Sequence, residues 1–254
     1  MLHDYPILFV SWRSPKTRSI HPVGRLAFDA ATHHYEFRYI CSARKAVDDG
    51  FAPFSEFPKL DAAYRGKELF PLFSNRVMRE SRPGYAAFLK TLGLPDDGAH
   101  PMAILARTGG RRQTDQIEMF PMPALDADGC YVAHCLLRSI RYMPQPATEE
   151  RIAKLESNEQ LFPMLDVQNT VDPKAVSVRT ADNWLIGYVP AYLTTDLQQL
   201  QENCCDFKLF VSRVNPPPAE EHHRLLCKVV SCWPQGFKPF DNPSFQPISV
   251  RNAA

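Results

Sequence analysis

LFPMLDVQNTVDPKAVSVRTADNWLIGYVPAYL, residues Leu161 to Leu193, decides how the second half of this chain folds. Its apolar stretches are short and bounded by Asp, Asn and Pro, the residues that bend a backbone by bonding to it or by fixing φ. The order is strand, acidic turn, strand, tight turn, strand, then a helix start. Working outward, Cys130–Ser139 reads as a strand before it. Thr148–Leu155 reads as a short helix that Thr148 could cap, with Glu149 and Glu150 favourably in its first turn. After it, Phe207–Val214 and His223–Cys232 supply two more strands around the Asn215–Glu221 loop. Residues 234–254 read as a proline-rich tail, and PMPALDADG, Pro121–Gly129, as a boundary between two strand-dense regions.

The first half opens on PILFVSW, residues 6–12, the pattern of a buried strand. His21–Phe28 and Tyr35–Tyr39 follow as two further strands. In YEFRY the aromatics Tyr35, Phe37 and Tyr39 alternate with Glu36 and Arg38, strand periodicity with one buried face. Three short strands joined by tight turns predict an antiparallel meander. Prolines 53, 58 and 71 mark a loop-rich region whose aromatics pin it to that sheet. A helix starts near Ser81 and Pro83 and closes at Gly93. Met102–Arg107 is a short apolar run, and QIEMF, Gln116–Phe120, is strand-like.

Composition bounds the function classes. The 254 residues, 44% hydrophobic and 22% charged, suit one large or two ordinary soluble domains. No apolar run approaches the roughly 18 residues that span a bilayer. Asp4 precedes the first apolar run and no small-residue cleavage site follows it, so the expectation is a cytoplasmic protein without a signal peptide. The seven cysteines are odd in number and include no CxxC, which favours reduced thiols over a disulfide framework. Residues 1–125 carry 17 Lys/Arg against 13 Asp/Glu, and residues 126–235 carry 10 against 14. A domain gripping duplex phosphates shows the opposite sign to that second balance, so nucleic-acid recognition there needs a small local site.

No catalytic set assembles. His33-His34 sits in a turn without a carboxylate or nucleophile. The C-x4-C spacings of Cys130/Cys135 and Cys227/Cys232, with His222 and His223 near the latter, lie along single strands and match no structural zinc finger, so no metal and no cofactor are expected. Gly109-Gly110-Arg111-Arg112 combines flexible backbone with two guanidiniums. It could hold a phosphate or partner, or be a hairpin turn with solvated arginines, which is the favoured version.

The run Asp166-Val167-Gln168-Asn169-Thr170-Val171-Asp172-Pro173-Lys174-Ala175-Val176-Ser177-Val178, followed by Ala181-Asp182-Asn183 and then Ile186-Gly187-Tyr188-Val189, resembles the HIRAN domain over nearly thirty positions. That family has a modified OB-type β-barrel and binds single-stranded DNA 3′ ends. The resemblance implies that Arg141-Tyr142 takes the place of a basic–aromatic pair at the end of the first strand, with Asn169 and Asp172 in the central turn and Tyr188 after the glycine. A tyrosine face stacks a base, arginine pairs with phosphate and a carboxylate accepts the 3′-hydroxyl. Val171 stands where the family often has an aromatic. Equally, Asn169 and Asp172 could shape their own turn, Gly187 could supply backbone permissiveness alone, and Tyr188 could be core.

Gly24-Arg25-Leu26, Phe37-Arg38-Tyr39 and Pro71-Leu72-Phe73-Ser74-Asn75-Arg76-Val77-Met78 resemble, in pattern and order, the small N-terminal subdomain of HipA-type proteins. The kinase that follows it in HipA has no counterpart: the chain lacks a phosphate loop before a strand lysine and a catalytic-loop Asp with its Asn. The expected fold is α+β, a HipA-N-like meander domain over 1–122, an OB-like HIRAN-type barrel over 128–233 and a tail. The expected role is a non-enzymatic adaptor recognising single-stranded DNA or its 3′ ends. The alternative is a regulatory subunit of a HipA-like kinase in a toxin–antitoxin or defence system.

Overall fold

The computed structural model describes residues 6–17, 19–95, 99–112, 114–170, 172–203, 205–217, 219 and 221–249. They form two compact units. The first comprises the described residues of Met1–Ala86, Asp96–Met122 and Lys238–Ala254, and the second those of Ala87–Pro95 and Pro123–Phe237.

The first unit is a five-stranded antiparallel sheet in the order β4-β3-β2-β1-β5. Its strands are β1 (Ile7–Arg13), β2 (Ile20–Asp29), β3 (His34–Tyr39), β4 (Ala63–Gly66) and β5 (Ile117–Pro121). The alternation of YEFRY holds: Tyr35, Phe37 and Tyr39 are buried, while Glu36 on the other face bridges Arg38 and Arg65 at 2.7 Å each. Leu26 pairs with Phe37 and Gly24 with Tyr39. A Cβ at Gly24 would stand 2.4 Å from the Phe37 ring, so glycine is what lets that ring lie across β2. Phe57 then stacks on Phe37 at 4.3 Å between centroids, and Tyr39 donates to Phe57 O at 2.9 Å. Aromatics thus pin the loop-rich stretch to the sheet, which also holds the helices α1 (Ala43–Asp48) and α2 (Pro71–Ser74).

After α3 (Tyr85–Thr91), Gly93 turns at φ 66° and Leu94 N bonds Leu89 O, the helix stop expected there. The apolar run near Met102 is a helix, α4 (Pro101–Thr108), capped at its start by the His100 ring and at its end by Gly109 in the left-handed region. The Arg76 side chain is 2% exposed and grips Asp115 at 2.6 Å, Gly110 O and Leu72 O.

The second unit is a seven-stranded antiparallel sheet in the order β10-β9-β8-β11-β12-β7-β6. These are β6 (Ala124–Leu125), β7 (Cys130–Leu136), β8 (Gln160–Leu165), β9 (Val176–Arg179), β10 (Leu185–Tyr188), β11 (Phe207–Val214) and β12 (Leu225–Cys232). The sheet does not close as a barrel, contrary to the expected OB-type closure. One isolated bridge joins Arg138, just past β7, to Tyr188 on β10, because β6 pairs only the first part of β7. Helix α6 (Ala191–Glu202) buries Leu193, Leu197 and Leu200, spaced for one helical face.

Two details differ from expectation. Helix α5 (Ala147–Ala153) begins after Pro146. Thr148 is fully buried inside it, donating to Pro144 O and accepting from the Trp184 indole, so it is not the cap. Cys205 and Cys232 form a disulfide, whereas all cysteines were expected reduced; the fold brings the residues after α6 against the end of β12. Among the described residues Cys41, Cys130 and Cys227 are free thiols.

Candidate nucleic-acid interface

The acidic turn between β8 and β9 is tied by its own side chains. Asp166 N bonds Ala175 O at 2.8 Å, closing the loop as an extension of the β8–β9 ladder. Within it, Asn169 Oδ1 accepts from Asp172 N at 2.9 Å, and Asp172 Oδ1 accepts from Lys174 N at 2.9 Å. This is the short-range bonding that makes Asn and Asp turn residues. Asn169 also donates through Nδ2 to Asp166 Oδ2 at 3.2 Å. Val171 lies outside the described residues.

Tyr188 connects this turn to the other end of the sheet order. Its phenol donates to Asp166 Oδ2 at 2.9 Å, while its backbone pairs Arg138 in both directions at 2.8 and 2.9 Å. Gly187 makes that pairing possible. It sits at φ 153°, and a Cβ there would lie 2.7 Å from Arg138 O and 3.0 Å from the Leu137 side chain. The hydrogen bond from Tyr188, with help from Asn169, holds the Asp166 carboxyl below its ordinary range. Burial, reinforced by that carboxylate, pushes the Tyr188 phenol up. Asp166 is therefore an anion at neutral pH and Tyr188 its donor.

Arg141 and Tyr142 follow the Arg138 bridge in a 3-10 turn, Ile140–Tyr142, that packs against β10. Ser139 at φ 61° starts the turn, Ile140 is buried as its anchor, and Gln145 Nε2 bonds Ile140 O at 2.9 Å. Both side chains then point outward: Arg141 is exposed and Tyr142 is 67% exposed. The guanidinium carbon lies 4.7 Å from the Tyr142 ring centroid, and Nη2 reaches the phenol oxygen at 2.5 Å. An exposed aromatic on a core-anchored turn loses little freedom on stacking a base.

Asn169, Asp172 and Tyr188 thus join one hydrogen-bonded set centred on Asp166. Arg141 and Tyr142 form a second pair, linked to the first through the Arg138–Tyr188 backbone bridge. Asp166 opens the sequence motif, but its role depends on contact with a residue far along the chain. A second arginine–aromatic stack also escaped sequence reasoning: Arg179 lies 4.8 Å from the Phe162 ring centroid. Its signal was the strand alternation that puts Arg179 on the face opposite Val178.

The Gly109-Gly110 loop has its backbone engaged. Gly109 N bonds Leu105 O, Gly110 N bonds Thr108 Oγ1 and Arg76 takes Gly110 O. Arg111 and Arg112 are exposed beyond it. Arg112 lines a shallow cleft of about 260 Å³ with Arg76, Asp115, Asn75 and Glu56. Among the described residues no group of three His, Cys, Asp or Glu side chains is placed to hold a metal, and no helix is long and apolar enough to cross a membrane.

The stretch holding both halves of this constellation was compared with known families. Residues 132–233 match the HIRAN domain. The HIRAN match runs from within β7 to just past β12 and takes in Arg141, Tyr142, Asp166 and Tyr188. Two solved structures are similar to this chain. One is a protein from Lactobacillus plantarum, at 15% identity and TM-score 0.32, covering 39% of this chain and 89% of its own. The other is the HIRAN domain of human HLTF, at 16% identity and TM-score 0.30, covering 41% of this chain and 74% of its own. No curated protein matches the chain.

Proposed function

We propose that the HIRAN domain binds the 3′ end of single-stranded DNA and that the chain is a cytoplasmic, non-enzymatic adaptor. The Tyr188–Asp166 hydrogen bond carries this reading, because it draws the acidic turn up to the strand against which the Arg141–Tyr142 turn packs. The exposed Tyr142 ring stacks a terminal base, worth about 1–3 kcal/mol. Arg141 pairs with the adjoining phosphate. Asp172 accepts the terminal hydroxyl, and the charge of Asp166 beside it repels a terminal phosphate. An acidic domain with one such site favours a free end over the continuous backbone of a duplex.

Fluorescence anisotropy with otherwise identical 3′-hydroxyl and 3′-phosphate oligonucleotides tests this. The hydroxyl oligonucleotide should bind more tightly, and Arg141→Ala with Tyr142→Ala should abolish the preference. Equal, negligible binding of both oligonucleotides, unchanged in the double variant, would end the idea.

A second reading is favoured by one observation in the first unit. The Gly24-Arg25-Leu26 and Phe37-Arg38-Tyr39 motifs are direct cross-strand neighbours. This supports a HipA-N-like module docking a separate HipA-like kinase, with the chain as its regulatory subunit. A pull-down from native cells should then recover that kinase.

A further inference from the structure

We infer that the outer face of β8, β9 and β10 holds a second stacking station, built from Arg179 and Phe162, for nucleotides upstream of the strand end. The inference rests on the end-binding reading above and extends it.

The ladder defines this face. Val176 and Val178 point into the core, so Ser177 and Arg179 lie on the opposite face, where Ser177 is 5% exposed and Arg179 is half-buried. Direct cross-strand partners share a face. One outward row is therefore Phe162–Arg179–Leu185 and the next is Met164–Ser177–Tyr188. The second row ends at Tyr188, already part of the end-binding set, so the two sites lie on one face of the sheet. Met164 on it is 40% exposed.

Arg179 is preorganised for stacking. Its guanidinium lies 4.8 Å from the Phe162 centroid, and Nη1 is held by Thr180 O at 3.0 Å. A guanidinium held over a ring leaves donors for a phosphate and can stack a base. The same pairing occurs at Arg141 and Tyr142, in the turn packed on β10. Arginine–aromatic stacks therefore flank the strand that carries Tyr188.

Charge fixes the direction of the occupant. The carboxylates Asp166 and Asp172 lie at the turn end of this face, where a hydroxyl terminus suffers no phosphate repulsion. Arg179 pairs with Phe162, four residues before Asp166, and so lies roughly 13 Å along the strands from the turn at about 3.3 Å per residue. That is the reach of a short extended run of nucleotides. The strand's 3′ end thus sits by the acids and its upstream phosphates run toward Arg179.

The test is the dependence of affinity on strand length in the full chain. Wild type should bind 5′-fluorescein decathymidylate with a free 3′-hydroxyl at least about tenfold more tightly than it binds a dithymidylate competitor. In Phe162→Ala with Arg179→Ala that gain should vanish. Arg179→Lys keeps the charge but not the plane and should lose most of the gain, whereas Phe162→Tyr should keep it. A full gain in the double variant, or in Arg179→Lys, overturns the stacking station while leaving end binding intact. Failure of wild type to bind either oligonucleotide overturns both.

Discussion

The phenol of Tyr188 and the carboxylate of Asp166, 22 residues apart, meet in a hydrogen bond of 2.9 Å that organises the candidate DNA-end site. Tyr188→Phe keeps the ring and removes the donor. The Asp166 carboxyl, now below its ordinary value of 3.8, should rise toward it, as read from the carboxyl carbon shift in an NMR titration. Because its folded pKa is depressed, the contribution of this group is present above that ordinary value and lost as pH falls through the folded pKa. Tyr188→Phe should flatten this acid limb. The same variant should weaken binding of a 3′-hydroxyl oligonucleotide about tenfold, since the turn loses its tether to β10. An unchanged Asp166 titration would mean that the bond is absent in solution.

Gly187→Ala tests the close backbone approach and the unusual φ that glycine allows here. A Cβ would meet Arg138 O at 2.7 Å in a backbone conformation that side chains rarely adopt. The expected cost is about 2–4 kcal/mol, from strain and the lost Arg138–Tyr188 pairing. Urea unfolding followed by Trp184 and Trp233 fluorescence in a Trp12→Phe background reads this unit. A loss under about 0.5 kcal/mol would show that neither the close approach nor this backbone conformation is kept in solution.

Much of this fold was legible because it follows local rules. The meander came from the alternation of Tyr35, Phe37 and Tyr39, and β8 to β10 from turn residues bounding short apolar runs. Eight residues from Pro101 to Thr108 were not legible as a helix, since a short apolar run carries no period that separates helix from strand. Thr148 has the residue type of a cap, but burial against Trp184 decided its place. Asn169, Asp172 and Tyr188 could be named from a motif. Their link through Asp166, and the Arg179–Phe162 stack, depend on register between strands, which the sequence carries only weakly. The pairing of Cys205 with Cys232 is likewise a property of the folded chain, since cysteine counts never give connectivity.

That pairing makes its own prediction. The disulfide closes a loop with a sequence separation of 27, for which chain entropy gives about 3.5 kcal/mol of stabilisation. Cys205→Ser should lower the stability of the second unit by about that amount under non-reducing conditions and match reduced wild type. Alkylation with mass mapping should label Cys205 and Cys232 only after reduction. Labelling of both without reductant would show that the protein keeps them as thiols.

His100 gives the first unit an acid sensitivity of its own. Its Nδ1 accepts from Met102 N at 3.3 Å as the cap of α4, and its ring packs 4.5 Å from Phe28 and within 3.3 Å of the Tyr35 hydroxyl. Burial holds its pKa below the ordinary 6.5. Protonation would both charge a half-buried ring and remove the cap's acceptor. With the folded pKa depressed, stability from the neutral ring is fully present above 6.5 and is lost as pH falls through the folded value. His100→Asn keeps a good capping oxygen and cannot titrate. The stability difference between wild type and His100→Asn, read by Trp12 fluorescence during thermal unfolding, should therefore shift in favour of the variant between pH 7 and pH 5. A difference that stays constant over that interval would show that His100 is not the titrating group.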